Sequence, residues 1–444
     1  MLTGTALILV IAASLIFIVI ACAVLRWHPF FVLLGTAIVL GIAVGLEFRK
    51  TIQTMLDGGA AVFASIGLII ALGTVLGNVL EKTNAAQTIA DGFLARAGKK
   101  RLLPGISVLG AFVGIPVFCD SGFIILSRLA RTLSVKSGIP TGSIALALAT
   151  GLYTTHVLVP PTPGPLAAAG ALGMNEGLGW LILLGLLVSI PALITGYFFA
   201  KRYHGPVSLP PDPPAEETII KKPAFLPAVF PILLPILLIA AGSAIQMLMS
   251  PGPAKEFLLF VCHPVVAILL GLLNAFLLLA RPYRKEWNAW IQQSLSQAGP
   301  IILITVAGGA LGAILKETPL AEQFRHWAID RHFSILWLYM IAYLLAAGLK
   351  TAQGSSTAAL IIASSILSPL LNGMPGIHLS QQALMVLCIG AGAMTVSHAN
   401  DSYFWVINQY AGIDVRNMYR YFTRATFFMG LATLLACLVL GLFL

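Results

Sequence analysis

The chain has 444 residues, 58% of them hydrophobic and only 9% charged. Soluble domains carry about 25% charged residues, so this one faces lipid over most of its surface and is not a water-soluble enzyme. The formal net charge of +10 fits the Lys and Arg excess of cytoplasmic loops in membrane proteins, with no call for a nucleic-acid partner.

In chain order, apolar stretches recur at 4–25, 30–46, 59–80, 178–200, 225–248, 258–280, 297–315, 333–349 and 425–444. Each is long enough, or nearly so, to cross a hydrocarbon core of about 30 Å as a helix. No ten-residue alternating strands of a membrane barrel occur. The expected fold class is therefore an all-α polytopic membrane protein. The first stretch has no basic leader and outruns the roughly 7–15 apolar residues of a signal peptide, so it is expected as a retained span. Cys22, Cys119, Cys262, Cys388 and Cys437 sit in or beside apolar segments without a CxxC pair. They read as packing residues, with no disulfide, metal site or cofactor implied.

Two copies of one unit lie in the chain. His28-Pro29 opens one apolar run and His263-Pro264 another, 235 positions later. At the same offset Arg49-Lys50 returns as Arg284-Lys285, Leu76-Gly77 as Leu311-Gly312, Leu80 as Leu315, Thr83 as Thr318 and Ala86 as Ala321. Repeated apolar halves point to a secondary transporter whose site lies where the halves meet. His28 and His263, each before a proline at the start of a span, read as caps. Gly41/Gly45, Gly73/Gly77 and Gly308/Gly312 form GxxxG pairs that predict close helix packing.

Loop charges set the expected orientation. Residues 81–103 carry Lys82, Arg96, Lys99, Lys100 and Arg101 against Glu81 and Asp91, a net of +3. The equivalent stretch 316–333 balances Lys316, Arg325 and Arg331 against Glu317, Glu322 and Asp330. Opposite bias at equivalent loops predicts halves of inverted topology, 1–200 and 225–444, with the N-terminus outside. Between them 201–224 holds Pro206, Pro210, Pro211, Pro213, Pro214 and Pro223, which predicts an extended cytoplasmic tether.

Four stretches at membrane depth are too polar or too rich in Gly and Pro to be plain spans: 114–122, 154–165, 350–357 and 397–402. Two fall in each half, in corresponding order. Irregular backbone is tolerated at that depth only where protein or a wet cavity satisfies it. Such breaks end half-helices, whose N-terminal N–H groups favour a bound anion. Asp120 is the sharpest residue there, because a carboxylate in an apolar span costs a few kcal/mol and usually lines a pathway. It reads either as a proton carrier or as a helix cap. Asp401, beside Ser397, His398 and Asn400, has the same two readings and a third as a Na⁺ ligand. His156 and His398 fit either a proton relay, a donor to a hydroxylated ligand or a structural donor. Lys350 either attracts a carboxylate or extends to the interface.

The runs Thr155-His-Val-Leu-Val-Pro-Pro-Thr-Pro-Gly-Pro165, Gln353-Gly-Ser-Ser-Thr-Ala-Ala359 and Ser397-His-Ala-Asn-Asp-Ser-Tyr-Phe-Trp405 resemble signatures of the gluconate permease (GntP) family of sugar-acid:proton symporters. The resemblance covers essentially the whole chain. It implies uptake of gluconate or related hydroxylated carboxylates with protons across the inner membrane of a prokaryote. It also implies re-entrant hairpins, a scaffold with a mobile elevator-type transport domain, and a homodimer. Three departures stand out: Thr162 where the family pattern has His, Cys119-Asp120 where it has Phe-Glu, and Lys350 where Arg is usual. The last gives up a planar bidentate grip for a point charge.

On this reading the breaks and Lys350 hold the substrate carboxylate. Ser121, Thr154, Thr155, Ser355, Ser356, Thr357 and Asn400 bond its hydroxyls, and His156, Thr162, Gly164, Gly354, Ser397 and His398 complete the expected substrate-binding set. Asp120 or Asp401 carries the proton. A nearer alternative is a symporter of a smaller hydroxy- or amino-carboxylate such as glycerate, 3-hydroxybutyrate or serine, with Na⁺ coupling through 354–356 and 400–401 as a variant. An intramembrane hydrolase built on Ser397, His398 and Asp401, or on Ser355 with His156, is disfavoured. Adjacent Ser and His on a helix point about 100° apart, and neither GxSxG nor HExxH occurs.

Overall fold

The computed structural model describes residues 4–23, 25, 27–97, 102–174, 177–205, 207, 223–318, 334–373, 376–399 and 401–444. Among them the chain is helical, with one isolated β-bridge, Val207 to Ile413. The first half runs α1 (Gly4–Ala23), α2 (Pro29–Ala43), α3 (Phe48–Val62), α4 (Leu68–Lys82), α5 (Ala85–Ala97), α6 (Leu102–Gly114), α7 (Cys119–Ser137), α8 (Thr141–Leu158), α9 (Pro163–Ala171) and α10 (Leu178–Lys201). The second runs α11 (Phe225–Leu248), α12 (Pro253–Cys262), α13 (Pro264–Leu278), α14 (Trp287–Glu317), α15 (Ile335–Gln353), α16 (Ser356–Gly373), α17 (Leu379–Met394), α18 (Ser402–Ala411) and α19 (Arg424–Gly441).

The elements of the halves correspond in order. The helix pair α2 and α13 opens on the repeated His-Pro. His28 caps α2 as its sequence position suggests, its Nδ1 accepting from the Phe30 N–H at 3.3 Å. His263 takes the same position before α13 without a side-chain bond. The pair α3–α4, joined through a π-helical turn at Phe63–Gly67, matches the single long α14, which carries Pro300 inside it. The hairpins α6–α7 and α15–α16 correspond, as do the broken helices α8–α9 and α17–α18 and the closing helices α10 and α19.

Packing repeats the same symmetry. Helices α2, α3 and α4 pack on α14, and α4 also packs on α13. In the other cluster α6 packs on α8 as α15 does on α17, and α10 packs on α19. Each broken helix reaches across the halves: α9 lies on α16, and α18 lies on α7. The arms α8 and α17 are deeply buried, with every residue from Gly142 to Leu158 and from Ala383 to Met394 inside the protein. Their Ala, Gly, Ser and Thr content lets neighbouring backbones approach closely, as in other membrane bundles.

Outward surfaces are apolar. Leu183, Leu187, Ile190, Ile194 and Phe198 of α10 are each about half exposed and recur every three to four residues, a stripe suited to lipid. Four helical segments among the described residues are long and apolar enough to cross a membrane, and α12–α13, bent by 57°, makes a fifth. The chain is a multi-pass membrane protein. Cys119, Cys262, Cys388 and Cys437 are buried free thiols. The side chain of Cys22, most of the Pro-rich stretch 201–224, and Lys99, Lys100, Arg101 and 319–333 from the charge argument lie outside the described residues.

Candidate functional site

The four broken segments converge. Between the tips of the two hairpins lies a cavity of about 270 Å³. The first tip contributes Phe118, Cys119 and Asp120, and the second contributes Gly354, Ser355, Ser356 and Thr357. Tyr153 and His156 line it from α8, and Asp401, Ser402 and Tyr403 from the start of α18. The floor is aromatic: the Tyr153 and Tyr403 rings lie 5.5 Å apart, with Phe422 at 6.3 and 5.8 Å.

Three helix N-termini, those of α7, α16 and α18, open on this cavity. Their leading N–H groups have no intrahelical acceptor and carry the positive end of the helix dipole. At α7 the preceding residue is Phe118, which offers no side-chain cap. At α16 the Ser355 hydroxyl accepts from the Ala358 N–H at 3.2 Å. At α18 Asp401 is the cap, its Oδ1 accepting from the Tyr403 N–H at 3.1 Å. The second tip closes α15 with Gly354 at φ 85°, a left-handed conformation that glycine adopts without steric cost. The break before α18 begins at Val396 with φ 55°, a region costly for a β-branched residue and concentrated at functional sites.

Charges at the site are unequally matched. The Lys350 ammonium donates to Asp401 Oδ2 at 2.6 Å and to the Gly354 carbonyl at 2.5 Å. Its Nζ also lies 5.8 Å from the centre of the Tyr153 ring. The Ser397 hydroxyl donates to the same Asp401 oxygen in a very short bond. Lys350 is fully buried behind the cavity wall, so its charge is spent on Asp401 and the hairpin tip. Asp120 has no such partner: its described contacts are the Ser402 hydroxyl at 3.4 Å and the Cys119 thiol at 3.9 Å. His156 is buried with Nδ1 unpartnered among the described residues, its ring 5.8 Å from that of Phe118. The Tyr153 hydroxyl bonds Ser356 Oγ at 2.8 Å and the Ala393 carbonyl at 3.3 Å.

Of the residues singled out from sequence, the cavity gathers Asp120, His156, Gly354, Ser355, Ser356, Thr357 and Asp401. Others stand behind it. Thr154 bonds the Thr150 carbonyl one turn back at 2.8 Å, and Thr155 ties α8 to α6 through the Ala111 carbonyl at 2.6 Å. Thr162 donates to the Val159 carbonyl at 2.7 Å within the break. Gly164 packs α9 on α16, where a Cβ would lie 2.7 Å from Leu360. Ser397 is fastened to α19 and the turn before it by Thr426 at 3.0 Å and Thr423 at 2.7 Å. His398 Nε2 meets the Thr351 carbonyl at 2.8 Å. Asn400 and the side chain of Ser121 lie outside the described residues. Phe118, Cys119, Tyr153, Ser402 and Tyr403 went unselected. Tyr153 was legible, since it precedes His156 by three positions and so shares its helical face.

With this geometry in hand, comparison with known proteins gives the family. The GntP family permease profile matches residues 6–443. The chain belongs to this family. It is 32% identical to a gluconate permease of Pseudomonas aeruginosa over 94% of this chain and 93% of the relative. It is 31% identical to the inner membrane permease YgbN of Escherichia coli over 96% of both. Its fold is similar to that of the Alcanivorax borkumensis YdaH transporter, with a TM-score of 0.67 at 14% identity, covering 94% of this chain and 98% of that one. The chain is thus a membrane permease and not an enzyme. Ser397 bonds Asp401, while His398 bonds Thr351.

Proposed function

We propose that this permease is a secondary active transporter that imports gluconate or a related sugar acid together with protons. The observation that carries this is the cavity itself, where three helix N-termini meet beside one acid, Asp120, that no cation neutralises among the described residues. N-termini favour the substrate carboxylate, and Asp120 takes the coupling proton. Hydroxyls of Ser355, Ser356 and Thr357 are available to the sugar hydroxyls, and His156, whose buried Nδ1 is unpartnered among the described residues, lines the same cavity. Asp401 is the weaker proton carrier, being already paired with Lys350. The gluconate permease relative supports the substrate class.

In this reading 1–200 and 225–444 are inverted repeats joined by the 201–224 linker in the cytoplasm, with the N-terminus outside. The helices packed around α14 form a scaffold, and the two hairpins with the broken helices form an elevator-type transport domain. The protein works as a homodimer in the inner membrane of a prokaryote. A second reading, a smaller hydroxy- or amino-carboxylate, is favoured by one observation: a cavity of about 270 Å³ falls just under the roughly 300 Å³ floor of typical ligand pockets.

Uptake of labelled gluconate into proteoliposomes, under an acid-outside gradient in Na⁺-free buffer, tests the first reading. Accumulation abolished by a protonophore supports it. Folded, reconstituted protein that accumulates glycerate or serine but not gluconate supports the second and removes the first.

A further inference from the structure

The oxygens around Lys350 are the kind that bind a small hard cation. A backbone carbonyl from the hairpin tip, Gly354, and a carboxylate oxygen from the α18 cap, Asp401, both lie within 2.6 Å of Nζ. The Ser397 hydroxyl is bonded to that same carboxylate oxygen. Carbonyl, carboxylate and hydroxyl oxygens are the ligands that hard metal ions select. Lys350 and Ser397 are fully buried and Asp401 nearly so, so bulk water does not neutralise the carboxylate.

The three oxygens come from two separate elements. Gly354 belongs to the tip of the α15–α16 hairpin, while Ser397 and Asp401 belong to the break between α17 and α18. Whatever cation sits between them fastens the hairpin tip to the broken helix and completes one wall of the cavity. We propose that the Lys350 ammonium is a tethered cation occupying a latent Na⁺ site, so that deleting the side chain lets Na⁺ bind at Gly354, Ser397 and Asp401 in its place. A lysine delivers the same single charge as Na⁺ but is never released. The native chain accordingly takes up no Na⁺ at this position, which leaves Asp120 as the acid available for coupling. That consequence rests on the proton-coupled reading above, whereas the site itself does not.

The test therefore uses binding and stability, not transport. Purified wild type, Lys350→Ala and Lys350→Ala/Asp401→Asn are unfolded thermally in NaCl and in choline chloride of equal concentration, and binding of radioactive Na⁺ is measured on each. Lys350→Ala is expected to have a depressed Tm in choline, a saturable rise toward the wild-type Tm in Na⁺, and bound Na⁺ that the wild type lacks. The double variant, with no buried charge, is expected to show no Na⁺ response. Equal Tm values for Lys350→Ala in the two salts would overturn the proposal, as would wild-type protein binding Na⁺ as well as the variant does. Failure of Lys350→Ala to fold in either salt overturns it too, because Na⁺ then does not replace the ammonium. None of these readouts changes if gluconate proves to be the wrong substrate.

Discussion

Leu76-Gly77 returns in the sequence as Leu311-Gly312, yet an added methyl group meets different surroundings at each glycine. A Cβ on Gly77 runs into the carbonyl oxygen of Pro116, with the Val117 Cα at 3.9 Å. Among the described residues a Cβ on Gly312 meets nothing nearer than the Ser365 carbonyl at 3.9 Å, ordinary contact. Both lie inside helices, so Gly→Ala brings the same helix-propensity gain of about 1 kcal/mol in either case. Crowding a backbone carbonyl costs roughly 1–3 kcal/mol, because it has no rotamer through which to yield. The propensity gain cancels in the comparison. Gly77→Ala should therefore be less stable than Gly312→Ala by about 1–3 kcal/mol, with Gly312→Ala at or slightly above wild type. The assay is thermal unfolding of the three purified proteins in one detergent, followed by tryptophan fluorescence. Pro116 lies in the tip that presents Asp120, so Gly77→Ala should also slow transport while Gly312→Ala does not. Equal Tm loss in the two variants would refute the argument, since it would mean the hairpin tip does not rest on α4 as described.

Asp120→Asn should abolish protonophore-sensitive accumulation of gluconate while leaving exchange of internal for external gluconate measurable in the same vesicles. Thr155→Val removes the bond from α8 to the Ala111 carbonyl, which should cost about 0.5–1.5 kcal/mol, the net worth of one hydrogen bond, and appear as a lower Tm. His156→Phe keeps a ring against Phe118 but deletes the unpartnered nitrogen. It should weaken gluconate binding by roughly tenfold, the worth of one hydrogen bond, without lowering the Tm; titration calorimetry separates the two effects.

The membrane class and the four breaks were legible in sequence because each leaves a local mark: a long apolar run, or polar residues where lipid should be. The arms α6, α8, α16 and α17 were not in the list of spans. Helices α8, α16 and α17 are buried by protein, carry much Ala, Gly, Ser and Thr, and are less hydrophobic than lipid-facing α10, while α6 is as apolar as α10 but has only 13 residues. Side-chain direction was also hidden. Thr154, Thr155 and His156 are consecutive, but successive residues on a helix point about 100° apart. Only His156 reaches the cavity, while Thr155 turns to α6. Nor could sequence pair Lys350 with Asp401, which lie 51 positions apart on elements whose contact is set by the whole bundle. The lysine looked free to meet a carboxylate, and it meets one from its own chain.

That pairing is what makes a proton necessary under the proposed function. With Lys350 and Asp401 cancelling, the cavity keeps the charge of Asp120 alone. A compact space of about 270 Å³ is roughly 8 Å across, so a bound anion sits within about that distance of the Asp120 carboxylate. At an effective dielectric constant of about 20, like charges 8 Å apart repel by 332/(20 × 8), or about 2 kcal/mol. That is a factor of about 30 in affinity, and it grows as the anion moves closer. Protonating Asp120 removes this repulsion, so anion and proton each favour binding of the other by the same factor. Helix N-termini offset part of the repulsion, but at about 0.3–1 kcal/mol each they act on the anion whether or not Asp120 is protonated, and so leave the coupling intact. Gluconate affinity should then fall with rising pH in the wild type and stay flat in Asp120→Asn. A wild-type affinity that is level across pH would mean that the anion binds away from Asp120, and the coupling argument would fail with it.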